Sequence, residues 1–236
     1  MEPREVGPSP RGGEPDAYAA DRARMVEEQI RARGVRDPRV LAAMRELPRH
    51  LFLPAALWPE AYGDWALPTA FGQTISQPYI VARMLELAEL EPGQRVLEVG
   101  TGSGYQTALL ARLAREVYSV ERVHELLEAA RARLAALGAA HVCLREGDGT
   151  LGWQEFAPYD RVLVTAAAPR VPEALKQQLG ERGVLVIPVG GTTTQRLEVW
   201  RRSPAGEWEW RRHGECRFVP LLGRDAWRDE RGPSHN

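Results

Sequence analysis

The run Val96-Leu97-Glu98-Val99-Gly100-Thr101-Gly102-Ser103-Gly104-Tyr105 carries the strongest chemical signal in the chain. An apolar stretch stops at three closely spaced glycines, and a helical pattern follows. Glycines at such a point let the backbone turn tightly and approach a ligand closely. The spacing is G-x-G-x-G, not the G-x-G-x-x-G of dinucleotide sites, and no Gly-Lys-Ser/Thr of a phosphate loop follows. No pyrophosphate is implied. Glu121 lies 17 residues after Gly104, at the end of the next apolar run. A carboxylate there can accept both hydroxyls of a ribose lying across strand tips. Asp148 ends a third run inside Gly147-Asp148-Gly149. It can accept from an adenine amino group, with the flanking glycines leaving space for the ring. A loop glycine, a ribose acid and an adenine acid, without a phosphate cradle, fit S-adenosylmethionine better than NAD. Taken singly, Glu121 also reads as a solvated ion-pair acid and residues 147–149 as a strand-end turn. Their joint spacing favours the cofactor.

The acceptor is constrained by what is missing. Amino-methylating enzymes of nucleic acids carry an Asn/Asp-Pro-Pro-aromatic motif after the fourth strand; this chain has Thr165-Ala166-Ala167-Ala168-Pro169. A cytosine-C5 enzyme needs a Pro-Cys nucleophile at the same end, and neither Cys143 nor Cys216 fits. The alanines form an apolar floor with no evident base. The acceptor must therefore be nucleophilic already at neutral pH. A carboxylate qualifies, since its ordinary pKa of about 4 leaves it ionised.

These residues need a scaffold, and the pattern around them supplies one. From residue 94 onward, short apolar runs over 96–100, 117–121, 142–148, 161–167 and 183–190 alternate with helical patterns over 106–115, 123–137 and 171–179. That alternation predicts an α/β fold with a doubly wound, mostly parallel, Rossmann-like sheet. Two consecutive strands over 197–203 and 215–222, joined through a turn at Gly206, predict an antiparallel edge. Before the sheet, helices are expected over 19–34, from 38 to the stop at Pro48, and over 78–90. Residues 54–77 show neither period, and a loop of that length is usually functional. The expected organisation is a disordered tail over 1–18, N-terminal helices with a substrate loop over 19–92, a cofactor-binding core over 93–224 and a tail over 225–236.

The 236-residue chain has a formal net charge of -1, which argues against a broad electrostatic grip on nucleic acid. No run approaches the roughly 18 apolar residues of a membrane span, and the N-terminus has no apolar signal core. Two cysteines exclude a disulfide framework or a four-cysteine zinc site, and the 5 histidines show no metal spacing. A cytoplasmic location without metal, membrane or nucleic-acid partner is expected. Lys176 is the only lysine, a bias that a GC-rich genome explains without function.

The segment Leu67-Pro68, followed by Phe71-Gly72-Gln73-Thr74-Ile75-Ser76-Gln77-Pro78, resembles the substrate-side motif of the protein-L-isoaspartate O-methyltransferases. The resemblance extends in collinear order over about residues 20 to 223, through RGVRDPRVLAAM, LPRHLF, VLEVGTGSGY, GDG, APYD, VTAAAP, LVIPVG and Phe218-Val219-Pro220-Leu221. Thr69-Ala70 departs from a common Ile-Gly. The resemblance implies a repair enzyme that methylates the free α-carboxylate of L-isoaspartyl residues in damaged proteins and peptides. The transfer leaves S-adenosyl-L-homocysteine, and the methyl ester then closes to a succinimide with loss of methanol and hydrolyses partly to aspartate. It also implies a site. Ser76 is the expected catalytic residue, orienting the carboxylate rather than attacking it, although Ser76 before Gln77-Pro78 also reads as a helix cap. The implied cofactor set is Gln73, Thr74, Ile75, Ser76, Glu98, Gly100, Thr101, Gly102, Gly104, Glu121, Arg122, Asp148 and Gly149. Glu98 is placed near the methionine end or, alternatively, braces the loop. The implied substrate set is Thr74, Ser76, Ala167, Val219 and Leu221, the last two on a late strand that edge packing would equally explain. His50 is expected to pack helix against core. Rival readings are a small-molecule methyltransferase and a cofactor-binding protein without catalysis.

Overall fold

The computed structural model describes residues 16–228. The expected tails fall mainly on 1–15 and 229–236, outside the described residues. The first helical segment begins as α1 (Ala19–Arg24), continues through a wider turn at Met25–Ile30 and closes in a tight turn at Arg31–Arg33. Gly34 ends it with a φ of 96°, a left-handed conformation that suits glycine. Helix α2 (Pro38–Glu46) starts where the Asp37 carboxylate accepts from the amides of Arg39 and Val40, with Pro38 in the first turn. The loop over 54–77 is not structureless. It holds short 3-10 turns and a two-strand hairpin, β1 (Leu67–Pro68) against β2 (Thr74–Ile75). Helix α3 (Pro78–Leu87) follows directly.

The remainder is a seven-stranded sheet. Its strands are β3 (Arg95–Val99), β4 (Glu116–Glu121), β5 (Cys143–Glu146), β6 (Tyr159–Val164), β7 (Leu179–Gly190), β8 (Gln195–Arg202) and β9 (Trp208–Cys216). The spatial order is β5-β4-β3-β6-β7-β8-β9, parallel through β7 and antiparallel at β8 and β9. Helices α4 (Tyr105–Leu113), α5 (His124–Ala136) and α6 (Glu173–Gln177) lie in the crossovers. The strand order reverses beside β3, and at such a switch point the diverging loops open a crevice beyond the carboxyl ends. Side chains alternate between faces as the pleat demands. Val96, Val117 and Leu163 enter the core that includes α2, α3 and α4, whereas Leu97, Tyr118 and Val162 enter the opposite core.

One expected element is misplaced. The last strand is predicted over 215–222 but runs over Trp208–Cys216. The hairpin is tight: the Gly206 amide donates to the Ser203 carbonyl, and Arg202 pairs with Trp208. Pairing therefore begins at once, in the half-polar stretch WEWRRHGE of an edge strand. The more apolar Phe218 to Leu222 leaves the ladder and crosses to the tip of β6. There Ala167 donates to the Val219 carbonyl at 2.8 Å and accepts from the Leu221 amide at 2.7 Å. Val219 and Leu221 are thus not strand residues.

Gln195 governs that departure. It is 1% exposed, and its side-chain oxygen accepts from the Phe218 amide at 2.9 Å while its amide nitrogen donates to the Gly191 carbonyl. Gln195→Leu should leave the Phe218 amide without its partner and cost about 1–3 kcal/mol in denaturant unfolding. A folded variant of unchanged stability would remove Gln195 from this role.

Candidate active site

The glycine loop ties the tips of β3 and β6. Gly100 has a φ of 97°, and a Cβ there would stand 2.3 Å from Thr165 Oγ1. That hydroxyl donates to the Gly100 carbonyl at 2.6 Å. Gly104 has a φ of 87°, and its amide donates to the Thr101 carbonyl to close the turn into α4. Above Gly102 a Cβ would meet nothing within 4 Å, so this face of the loop opens into space.

The space is a cleft of about 880 Å³, counting its open mouth. Gln73, Thr74, Ile75 and Ser76 form one side, Gly100, Thr101 and Gly102 the back, and Glu121, Arg122 and Gly149 a second side. Val219 and Leu221 border it from the crossing segment. The structure thus gathers most of the predicted site residues. It also adds some the sequence reading missed, notably Tyr105, Gln106, Thr165 and Pro220. The first two follow the glycine loop immediately, at the start of α4, which was a usable signal. Thr165 and Pro220 are brought in only by the neighbouring strand and the crossing segment.

Four predicted residues stand outside the lining. Gly104 turns the backbone behind it. Ala167 is buried and anchors the crossing segment through its main chain. Glu98 is fully buried beneath the loop. One of its oxygens accepts from Ser119 and from Thr107, each at 2.6 Å, and Ser119 Oγ lies 2.7 Å from Thr101 Oγ1. Glu98 is therefore placed to brace the loop from below. Asp148 faces a shallower adjoining hollow with Arg122, Gly147 and Gly223. Its Oδ1 accepts from the Thr150 amide and hydroxyl, and its Oδ2 accepts from the Arg224 amide at 2.8 Å.

Glu121 lies at the tip of β4 and is 7% exposed. Oε2 accepts from the Gly102 amide at 2.9 Å, and Oε1 accepts from the amides of Arg122 and Val123. A carboxylate offers about four acceptor positions. Gripping both ribose hydroxyls therefore requires release of a backbone donor, and Gly102 is the one that faces the cleft. Ser76 is half-buried and has no hydrogen bond from a described residue. It is not the helix cap: Gln77 occupies that position, without a side-chain cap bond. No group of three or more His, Cys, Asp or Glu among the described residues could hold a metal.

A glycine loop, an acid at the next strand tip and a cleft at the switch point define a Rossmann-like, S-adenosylmethionine-dependent methyltransferase. The family model described as protein-L-isoaspartate(D-aspartate) O-methyltransferase matches residues 20–226, and the chain belongs to that family. It is 57% identical to the protein-L-isoaspartate O-methyltransferase of Methylorubrum extorquens over 88% of this chain and 90% of that one. Identity to the enzyme of that name from Methanoregula boonei is 54%, over 88% and 95%. A solved protein-L-isoaspartate O-methyltransferase superposes with a TM-score of 0.76 at 30% identity, over 87% of this chain and 67% of the other. A Plasmodium falciparum structure, solved in complex with S-adenosyl-L-homocysteine, shares the fold at 24% identity and a TM-score of 0.73, over 85% and 98%.

Glu121→Ala should weaken S-adenosylmethionine binding roughly ten- to a hundredfold, the usual worth of a hydrogen bond to a charged group. Calorimetry on a folded variant with wild-type affinity would exclude it from the site. Burial raises the Glu98 carboxyl to about 7, against the pull of the Ser119 and Thr107 hydrogen bonds. The folded state then holds a proton that the unfolded state releases near the ordinary value of 4.5. Stability from this group is present below that value and is lost as pH rises to about 7. Relative to Glu98→Gln, the wild type should lose on the order of 3 kcal/mol across this window. Parallel stability curves for the two proteins would show that Glu98 is ionised when folded.

Proposed function

We propose that the chain is a repair methyltransferase. It transfers a methyl group from S-adenosylmethionine to the free α-carboxylate of L-isoaspartyl residues in damaged proteins and peptides. The observation that carries this reading is the juxtaposition of the Gln73–Ser76 segment with the glycine loop across one cleft. Family membership supports both substrate and cofactor.

The residues fit the cofactor. The open space over Gly102 admits a ligand against the loop backbone, and Glu121 supplies the ribose acceptor. Val99, Val120 and Val123 line the same cleft and give a nucleoside an apolar bed. Gly149 cannot carry a side chain, since a Cβ would lie 2.4 Å from Val99. When bound, S-adenosylmethionine supplies an electrophilic methyl group on a sulfonium. The acceptor carboxylate is ionised at neutral pH, so no side chain need remove a proton. Ser76 donates its hydroxyl hydrogen to one carboxylate oxygen and leaves the other to attack. Catalytic power comes from holding carboxylate and methyl in line. The crossing segment 219–222 and the 67–76 hairpin bracket the acceptor backbone, and Phe71 stands 57% exposed at the hairpin's tip. No helix among the described residues is long and apolar enough to cross a membrane. Cys143 and Cys216 are both free thiols, which suits a cytoplasmic location.

Labelled methyl transfer to an isoaspartyl peptide, beside its aspartyl twin, tests the assignment. The isoaspartyl peptide should be labelled and the twin inert; equal labelling would reject it. Ser76→Ala should lower turnover about a hundredfold, the scale of a 1 Å misplacement, and leave cofactor affinity and melting temperature nearly unchanged. Normal turnover in that variant would move the orienting role to the backbone.

A further inference from the structure

Three arginines among the described residues are buried: Arg22, Arg49 and Arg161. Two of them have their donors met. Arg22 pairs with Asp16 at 2.7 Å and donates to the Arg45 carbonyl at 2.6 Å. Arg161 donates to the carbonyls of Ala88, Asp160 and Glu89. Arg49 differs. It is 0% exposed, its Nε donates to the Ala61 carbonyl at 2.8 Å, and neither terminal nitrogen reaches an acceptor. It has no ion pair with a described acid. Burial pulls its pKa down to about 10, which still leaves it charged at neutral pH.

Bracing one carbonyl uses one of the five guanidinium N–H groups and does not require a charge. A buried cation without a counter-ion is costly, so its retention sets Arg49 apart from the other two. The guanidinium carbon lies 5.1 Å from the centre of the Tyr105 ring. Tyr105 forms part of the cleft wall, and its own hydroxyl is buried without a partner. Phe52 packs edge-on against the same ring at 5.3 Å, so the medium between cation and cleft is apolar and screens little.

We propose that Arg49 is a positioning residue whose charge, acting through the Tyr105 wall, selects and holds a ligand carboxylate in the cleft. This rests on the reading of the cleft as a methyl-transfer site, which offers two such carboxylates. One belongs to the isoaspartyl acceptor and the other to the amino-acid end of the cofactor.

The test measures binding of two matched pairs. The first is an isoaspartyl peptide and its α-carboxamide counterpart. The second is S-adenosyl-L-homocysteine and its decarboxylated analogue. Wild type, Arg49→Met and Arg49→Lys are compared by calorimetry. In Arg49→Met the preference for the carboxylate should fall about tenfold in one pair, while the uncharged member binds as before; Arg49→Lys should restore it. The pair that responds identifies the carboxylate. A purely structural role would weaken all four ligands together or lower only the melting temperature. Unchanged preferences in folded Arg49→Met overturn the proposal. So does a wild type that prefers the carboxylate in neither pair, a result that stands even if Arg49→Met does not fold. Absence of methyl transfer to the isoaspartyl peptide by wild type would instead sink the repair assignment, and the cofactor pair would still decide Arg49.

Discussion

The chain must leave β3, turn, and enter α4 within the five residues 100–104, while keeping main-chain groups turned toward a ligand. That constraint organises the site. Gly100 satisfies it with a left-handed backbone and by yielding its side-chain space to Thr165 Oγ1. An L-residue with a Cβ would be strained in backbone and in contact at once. Because Thr165 stands at the tip of β6, the loop is fixed to the strand on the other side of the switch point. The buried chain from Thr101 through Ser119 to Glu98 fixes it from below.

The acids around the cleft are held in advance by backbone donors. Glu121 accepts three amides, one of them from the loop itself. Asp148 joins β5 to the turn at Arg224, where the chain returns past the cleft. The Glu121 arrangement keeps a carboxylate satisfied while shielded from water, which an unmatched charge could not be at low cost. A ribose hydroxyl taken by Glu121 in place of the Gly102 amide would exchange one hydrogen bond for another.

The far wall of the cleft depends on the antiparallel edge. Phe218 to Leu222 reaches the site because Gln195 turns it out of the β9 ladder and Ala167 receives it. Two walls of the cleft are thus assembled from segments distant in sequence, the 67–76 hairpin and the residues after β9.

Much was legible in the sequence because it was local. The strand–glycine–helix passage at residues 96–105, the acid ending the next strand and the alternation of apolar runs with helices each follow from neighbouring residues, and they named the fold and the cofactor. The Gln73–Ser76 segment was legible by resemblance. What failed was non-local. Apolar content placed the last strand at 215–222, but hairpin register, set by the turn at Gly206, gave pairing to Trp208–Cys216. Glu98 shares the parity of Val96 rather than of Val99, and only the packed sheet shows that this parity faces Thr107 of α4 while Val99 faces the cleft. Ser76 lost its role as a cap because the chain reaches α3 with Gln77 in that position. Arg49, an unremarkable basic residue in the sequence, acquires its meaning from burial against Tyr105. The sequence by itself determined which groups are available and the order of elements that carries them. Tertiary structure decided which face each group presents and what stands opposite it, because those depend on strand register and on contacts between residues far apart in the chain.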